Sequence, residues 1–99
     1  MSSKVQVKLS SSRWVRKRSD VDIMASILNE AHKGARKTRI MYRCNLSHRQ
    51  LQVYLKLLLG IELMVSHSEK DSSKLDLFKT TAKGLKFLDA YRTLKALMT

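Results

Sequence analysis

Only two residues, Asn45 and Leu46, separate the close of one short helical pattern from Ser47, where a second begins. A link that short leaves two helices few ways to pack and predicts a helix-turn-helix. The first helix, from about Thr38 to Cys44, has a narrow apolar face of Ile40, Met41 and Cys44. Thr38 is its candidate cap, and Asn45 suits its end because asparagine tolerates the left-handed conformation. In the second helix, Ser47 and Gln50 have the spacing of a capping box, which satisfies backbone donors that the first turn leaves without partners. Leu51, Leu55 and Leu58 share one face, with Tyr54 at its margin, and Gly60 marks the stop. His48, Arg49, Gln52 and Lys56 gather on a roughly opposite arc of about 100°.

The rest of the 99-residue chain, enough for one domain, is organised around this pair. An earlier helix is predicted over 20–33. Ser19 and Asp22 form another capping box, Asp20 adds charge to the first turn, and Met24, Ile27, Leu28 and Ala31 keep helical spacing beside Ile23. Lys33 suits the last turn, and Gly34 a left-handed residue after it. Beyond Gly60, Leu63 to Ser68 and Leu75 to Thr80 read as two strands joined by the polar stretch Glu69 to Lys74. A final helix runs from about Thr81 to Met98, capped by Thr80 or Thr81. Leu85 and Leu88 are placed to pack back on the domain. Phe87, Tyr91, Leu94 and Met98 form a heptad-like stripe, read as the seam of a homodimer or as one broad core face. The fold class is therefore mainly α with a small β-hairpin (α+β). A basic arm (1–18) precedes the domain (19–80), and a C-terminal dimerisation helix (81–99) follows.

Charge narrows the function. Lys and Arg number 20 against 8 Asp and Glu, a net charge of +12, which suits a polyanionic partner. The distribution says more than the total. Between Ala31 and Ile61 there is no acidic residue, while Lys33, Arg36, Lys37, Arg39, Arg43, Arg49 and Lys56 all fall there. That is the stretch of the helix-turn-helix, so double-stranded DNA is the implied partner. Arg36, Lys37, Arg39 and Arg43 are candidate phosphate ligands, and Ser47 opens a helix whose backbone donors suit a phosphate. His48, Arg49 and Gln52 occupy the first turns, where base edges are reached: Arg matches guanine O6 and N7, Gln adenine N6 and N7. Lys56 lies farther along the same arc in the groove, where the backbone is the nearer contact. Tyr42 fits either the core or a phosphate. In the arm, Val5, Val7 and Leu9 alternate weakly and Ser10 to Ser12 break the pattern. Arg13, Arg16, Lys17 and Arg18 belong either to a solvated tail or to an arm on phosphates or in a minor groove. Trp14 can stack on a base or pack on its own domain.

Other classes find little support. One cysteine, Cys44, allows no intrachain disulfide and suits a reducing interior. Cys44 and His48 are too few for a structural zinc site, and nothing supplies an oxyanion site for nucleophilic catalysis. Gly34, Gly60 and Gly84 are scattered, so no phosphate-cradling loop exists. The apolar stretch Leu57 to Val65 is interrupted and far shorter than the roughly 20 residues of a membrane span. No apolar leader opens the chain. The expectation is a cytoplasmic, DNA-associated protein, neither enzyme nor membrane protein, without cofactor, metal or small-molecule substrate.

The segment Lys37-Thr38-Arg39-Ile40-Met41-Tyr42, followed by Asn45-Leu46-Ser47, resembles the small archaeal winged-helix DNA-binding proteins of the ten-kilodalton chromatin type. Thr81-Ala82-Lys83-Gly84 resembles the Thr-x-Lys-Gly that opens their last helix. The likeness covers about residues 19–98. It implies a winged helix-turn-helix with Glu69 to Lys74 as wing tip, including Lys70, Ser72, Ser73 and Lys74. It also implies a homodimer through the C-terminal helices and duplex binding, as a transcription regulator or as a sequence-tolerant chromatin protein. A protein-interaction module is the third reading, because the same fold also serves as a scaffold.

Overall fold

The computed structural model describes residues 18–69 and 72–99, excepting the side chains at 68, 69 and 72–76. The elements run α1 (Asp20–Glu30), β1 (Ala35–Arg36), α2 (Lys37–Arg43), α3 (His48–Gly60), β2 (Met64–Glu69), β3 (Ser72–Thr80) and α4 (Ala82–Leu97). The predicted mainly helical fold with a hairpin is present. The strands form one antiparallel sheet in the order β1-β3-β2, with Phe78 of β3 between Ala35 and Ser66.

Both predicted capping boxes form. Ser19 Oγ accepts the Asp22 N–H at 3.2 Å, and the Asp22 carboxylate accepts the Ser19 N–H at 3.0 Å. Ser47 and Gln50 make the same exchange at 3.1 and 2.9 Å. Asn45 is left-handed, with φ 55°, and makes the turn between α2 and α3.

Several boundaries differ from expectation. α1 ends at Glu30, and Lys33 lies outside it. The Ala31 carbonyl accepts from Gly34 N at 3.0 Å and from Thr80 N at 3.1 Å, which diverts the chain toward the sheet. Gly34 does take a positive φ of 99°, but in the turn into β1. That strand is only two residues long, too short for alternation to reveal it. Thr38 is not the cap of α2. The helix starts directly from β1 at Lys37, with Arg36 at the cap position and no side-chain cap bond. Gly60 is the last residue of α3 rather than its stop, and the chain reverses at Glu62, φ 63°. The hairpin strands reach Glu69 and resume at Ser72, so the link is narrower than Glu69 to Lys74.

One core joins all the layers. Ile27 and Leu28 of α1, Ile40 of α2, Leu51 and Leu58 of α3 and Met64 of β2 are fully buried in it. On β3, Phe78 and Thr80 point in while Lys79 points out, as strand alternation requires. The buried Thr80 hydroxyl donates to the Leu28 carbonyl at 2.6 Å.

α4 sits unusually close to the end of α3. A Cβ on Gly84 would lie 2.2 Å from the Leu63 carbonyl oxygen and 2.6 Å from Thr80 Cγ2, so only glycine fits without a backbone shift. Thr81 caps α4, accepting from Gly84 N at 3.0 Å, and donates to the Glu62 carbonyl at 2.8 Å. Lys83 Nζ donates to the Ile61 carbonyl at 2.9 Å. The Thr-x-Lys-Gly sequence is thus a lock between the end of α3 and the start of α4. Leu88 is buried as expected, whereas Leu85 is exposed: Gly84 and Leu88 define the inward line, and Leu85 is rotated about 100° from Gly84.

Candidate nucleic-acid interface

α3 is held so that one face is committed and the other is not. Leu51, Leu55 and Leu58 are buried, and Tyr54 and Leu59 pack against the same core from either side. Tyr54 also donates its hydroxyl to Asp20 Oδ1 at 2.6 Å, tying α3 to the first turn of α1. That bond raises the Tyr54 pKa above its ordinary value. At the far end Lys83 and Thr81 fix the last carbonyls. The predicted reading residues His48, Arg49, Gln52 and Lys56 are all exposed. Among the described residues their side chains make no hydrogen bond or ion pair. The first turn of α3 contains no acid. With the Gln50 N–H taken by Ser47, the backbone donors of His48 and Arg49 are left over, and among the described residues no acid answers the positive end of the helix dipole.

The other predicted basic residues divide by what they touch. Arg18 is not part of a free arm: its guanidinium donates to the Cys44 carbonyl at 2.8 Å and the Asn45 carbonyl at 3.3 Å, satisfying the end of α2. Arg39 and Arg43 converge on Glu30, at 3.2 and 3.6 Å, so an acid outside the acid-free window folds into its midst. Both arginines remain well exposed, and each meets Glu30 through Nε. Arg36 is half-buried and engaged within the domain, and Lys37 is half-buried beside it. Tyr42, open between core and surface in the sequence, is 84% exposed. Ser47 is exposed at its cap. Arg13, Trp14, Arg16, Lys17 and Lys70 lie outside the described residues, as do the side chains of Ser72, Ser73 and Lys74, whose backbone belongs to β3.

The stripe on α4 splits. Phe87 and Tyr91 pack on the protein's own core, and the Tyr91 hydroxyl donates to Asp22 Oδ1 at 2.5 Å. This bond holds the Asp22 carboxyl well below the usual carboxylate range, helped by the Ser19 N–H and by Lys95 at 3.4 Å. It pushes Tyr91 up to about 12. Leu94, Leu97 and Met98 are instead exposed at 51%, 78% and 61%.

Chemistry of other kinds has little to work with. Cys44 is buried in the turn, and burial raises its thiol pKa, while His48 is exposed beyond it. Among the described residues no three His, Cys, Asp or Glu side chains gather, and no helix is long and apolar enough to cross a membrane. A shallow hollow of about 250 Å³ lies between α1 and α4, where Asn29 and Arg92 already bond each other at 3.3 Å.

A three-helix core with a tight turn, a hairpin after the third helix and an uncommitted face on that helix is a specific arrangement. The family model described as winged helix-turn-helix matches residues 17–99. The chain belongs to the winged helix-turn-helix family. Solved winged-helix structures share the fold at low identity. A DNA-binding protein of Sulfolobus solfataricus, Sso10a-2, superposes with a TM-score of 0.73 at 21% identity, covering 82% of each chain. MepR of S. aureus in complex with DNA gives 0.67 at 12% identity, covering 94% of this chain and 78% of MepR. The PcaV transcriptional regulator of Streptomyces coelicolor gives 0.65 at 14% identity, covering 90% and 74%. No curated protein sequence matches the chain.

Within this winged helix two outward apolar residues of α3 escaped the sequence reading, Val53 and the less exposed Leu57. Val53 is 62% exposed on α3, among the candidate reading residues. A search for polar side chains passes over both. The available signal was their position: aliphatic residues off the leucine face of an amphipathic helix.

Proposed function

We propose that this winged helix is a homodimeric, duplex-DNA-binding transcription regulator that inserts α3 into the major groove and performs no catalysis. The observation that carries the reading is the outer face of α3. His48, Arg49, Gln52 and Lys56 are exposed there without partners among the described residues, at a helix start free of acid. Arg49 and Gln52 read base edges beside His48, and Lys56 follows the groove. Lys37, Arg39, Tyr42, Arg43 and the backbone at Ser47 hold phosphates, with Arg36 at their base. Lys70, Ser72, Ser73 and Lys74 form the wing that touches the flanking backbone. Arg13, Arg16 and Lys17 extend the basic surface from its anchor at Arg18, which grips the turn beside the start of α3. Leu94, Leu97 and Met98 supply the dimer seam at the exposed end of α4, whereas Phe87 and Tyr91 brace that helix on its own domain. The place of action is the cytoplasm, on DNA.

Duplex-binding titrations test this directly. With about six to ten phosphate contacts, affinity falls by about three to five decades between 50 and 200 mM salt. Replacing Arg49 and Gln52 weakens binding to a preferred site far more than to unrelated duplex. Equal losses on every sequence would remove them as base readers. Footprinting on the protein's own promoter separates two modes: a discrete palindrome marks a regulator, and uniform coating marks a chromatin protein. Absence of duplex binding at 50 mM salt would leave a protein-interaction module as the better reading.

A further inference from the structure

The outward direction of α3 is set by what its flanks bury. Tyr54 and Leu59 extend the leucine face to both sides, so the committed arc spans about 140° on a helical wheel. The centre of the opposite arc falls within about 10° of Val53, with Arg49 about 40° to one side and Leu57 about 40° to the other. Gln52 lies only about 20° from Leu59, at the rim. The side chain aimed most directly away from the domain is thus an aliphatic one, and 62% of it is open to solvent.

Valine is a poor choice for such a position on local grounds. Its branched side chain lowers helix propensity, and here it packs into no core. It gives nothing to a phosphate, which needs a donor. Its neighbours at i−4 and i+3 are Arg49 and Lys56, the partly open Leu57 follows at i+4, and the stretch from Ala31 to Ile61 holds no acid, so the charge around it fits a polyanion. In the major groove the apolar feature on a base edge is the C5 methyl group of thymine.

We propose that Val53 is a specificity-determining residue that packs on the C5 methyl of a thymine in the major groove. It rests on the duplex-binding reading above. Arg49 and Val53 are one turn apart, about 6 Å along the helix, against a base spacing of about 3.4 Å. The methyl therefore belongs to a thymine one or two base pairs from the guanine that Arg49 takes.

The test begins with a high-affinity duplex selected from a random pool by the full chain. Each thymine in its half-site is replaced singly by deoxyuridine, which removes the methyl and nothing else. One such replacement weakens the wild type by about fourfold, the scale of one buried methyl group. Val53→Ala binds the thymine duplex with about the same deficit and is indifferent to deoxyuridine at that position. Thermal melting verifies that Val53→Ala is folded, as expected for an exposed change to a better helix former. If no deoxyuridine weakens the wild type, or if Val53→Ala suffers the same loss, the assignment is overturned and duplex binding stands. If the wild type binds no duplex at 50 mM salt, the duplex-binding reading falls and takes the assignment with it.

Discussion

Ser19 and Ser47 open α1 and α3 with the same exchange of hydrogen bonds to the third helical residue, yet the two starts do opposite work. In α1 that third residue is Asp22, with Asp20 in the same turn. The two carboxylates answer the positive end of the helix dipole and then reach outward, Asp20 to Tyr54 of α3 and Asp22 to Tyr91 and Lys95 of α4. In α3 the third residue is Gln50, and no acid lies in the first turn. The box still forms, but the dipole meets nothing within the described chain. The reciprocal capping bonds are the same at both places, and two carboxylates separate a closed structural node from a surface open to an anion.

The largest expected effect breaks the closed side. Asp22→Ala removes the reciprocal cap and the Tyr91 bond together and costs about 2–3 kcal/mol in urea unfolding. The Lys95 pair, half exposed, adds little. Gln50→Ala loses only its half of the box, about 0.5–1 kcal/mol. The same node sets pH behaviour. The Asp22 pKa is lowered in the folded state, so its contribution is complete above the unfolded value of about 3.9 and is lost as pH falls below it. Tyr91 is raised to about 12, so its share is complete below the unfolded value of about 10 and fades as pH climbs toward 12. Asp22→Asn flattens the acid limb of the stability profile, and Tyr91→Phe the alkaline one. Unchanged limbs would mean that the Asp22–Tyr91 bond does not help to hold α4.

Next in size is a change that makes the open start resemble the closed one. Gln50→Glu keeps the capping box and adds the missing charge. Folding stability stays level or rises by about 0.5 kcal/mol. Duplex affinity falls about tenfold at 50 mM salt, and the salt slope decreases by about one, as for the loss of one phosphate contact. Undiminished affinity would show that the start of α3 does not face the backbone of DNA.

The same contrast explains what the sequence could and could not reveal. Both boxes, the left-handed Asn45 and the leucine face of α3 were legible, because each depends on residues within one or two turns. The two-residue β1 was not, since its partner Phe78 is more than forty positions away. Nor was the fate of the charges. The acid-free window from Ala31 to Ile61 is real, but Glu30 folds back between Arg39 and Arg43, and Arg18 leaves the basic arm to satisfy the turn. Phe87 and Tyr91 fit the heptad spacing of a dimer seam equally well as an inward face, and only the presence of α1 decides between them. Long-range partners choose which basic and apolar residues remain available.

The smallest expected effect lies where the two starts are joined. Tyr54→Phe removes the hydroxyl that α3 gives to Asp20 and leaves the ring in place against the core. The bond is exposed, so the loss is about 0.5–1 kcal/mol, below the usual range for a hydrogen bond to a charged group. Asp20 still faces the first turn of α1, which keeps its charge complement. If the packed leucines alone fix the pose of α3, duplex affinity changes by less than about twofold, well short of Gln50→Glu. A loss as large as that of Gln50→Glu, with stability little changed, would make the closed start part of the reading apparatus: α1 would then be aiming the helix as well as supporting it. Measuring stability and affinity on the same preparation separates these outcomes, because a pose effect lowers affinity at every salt concentration while a lost phosphate contact changes the slope.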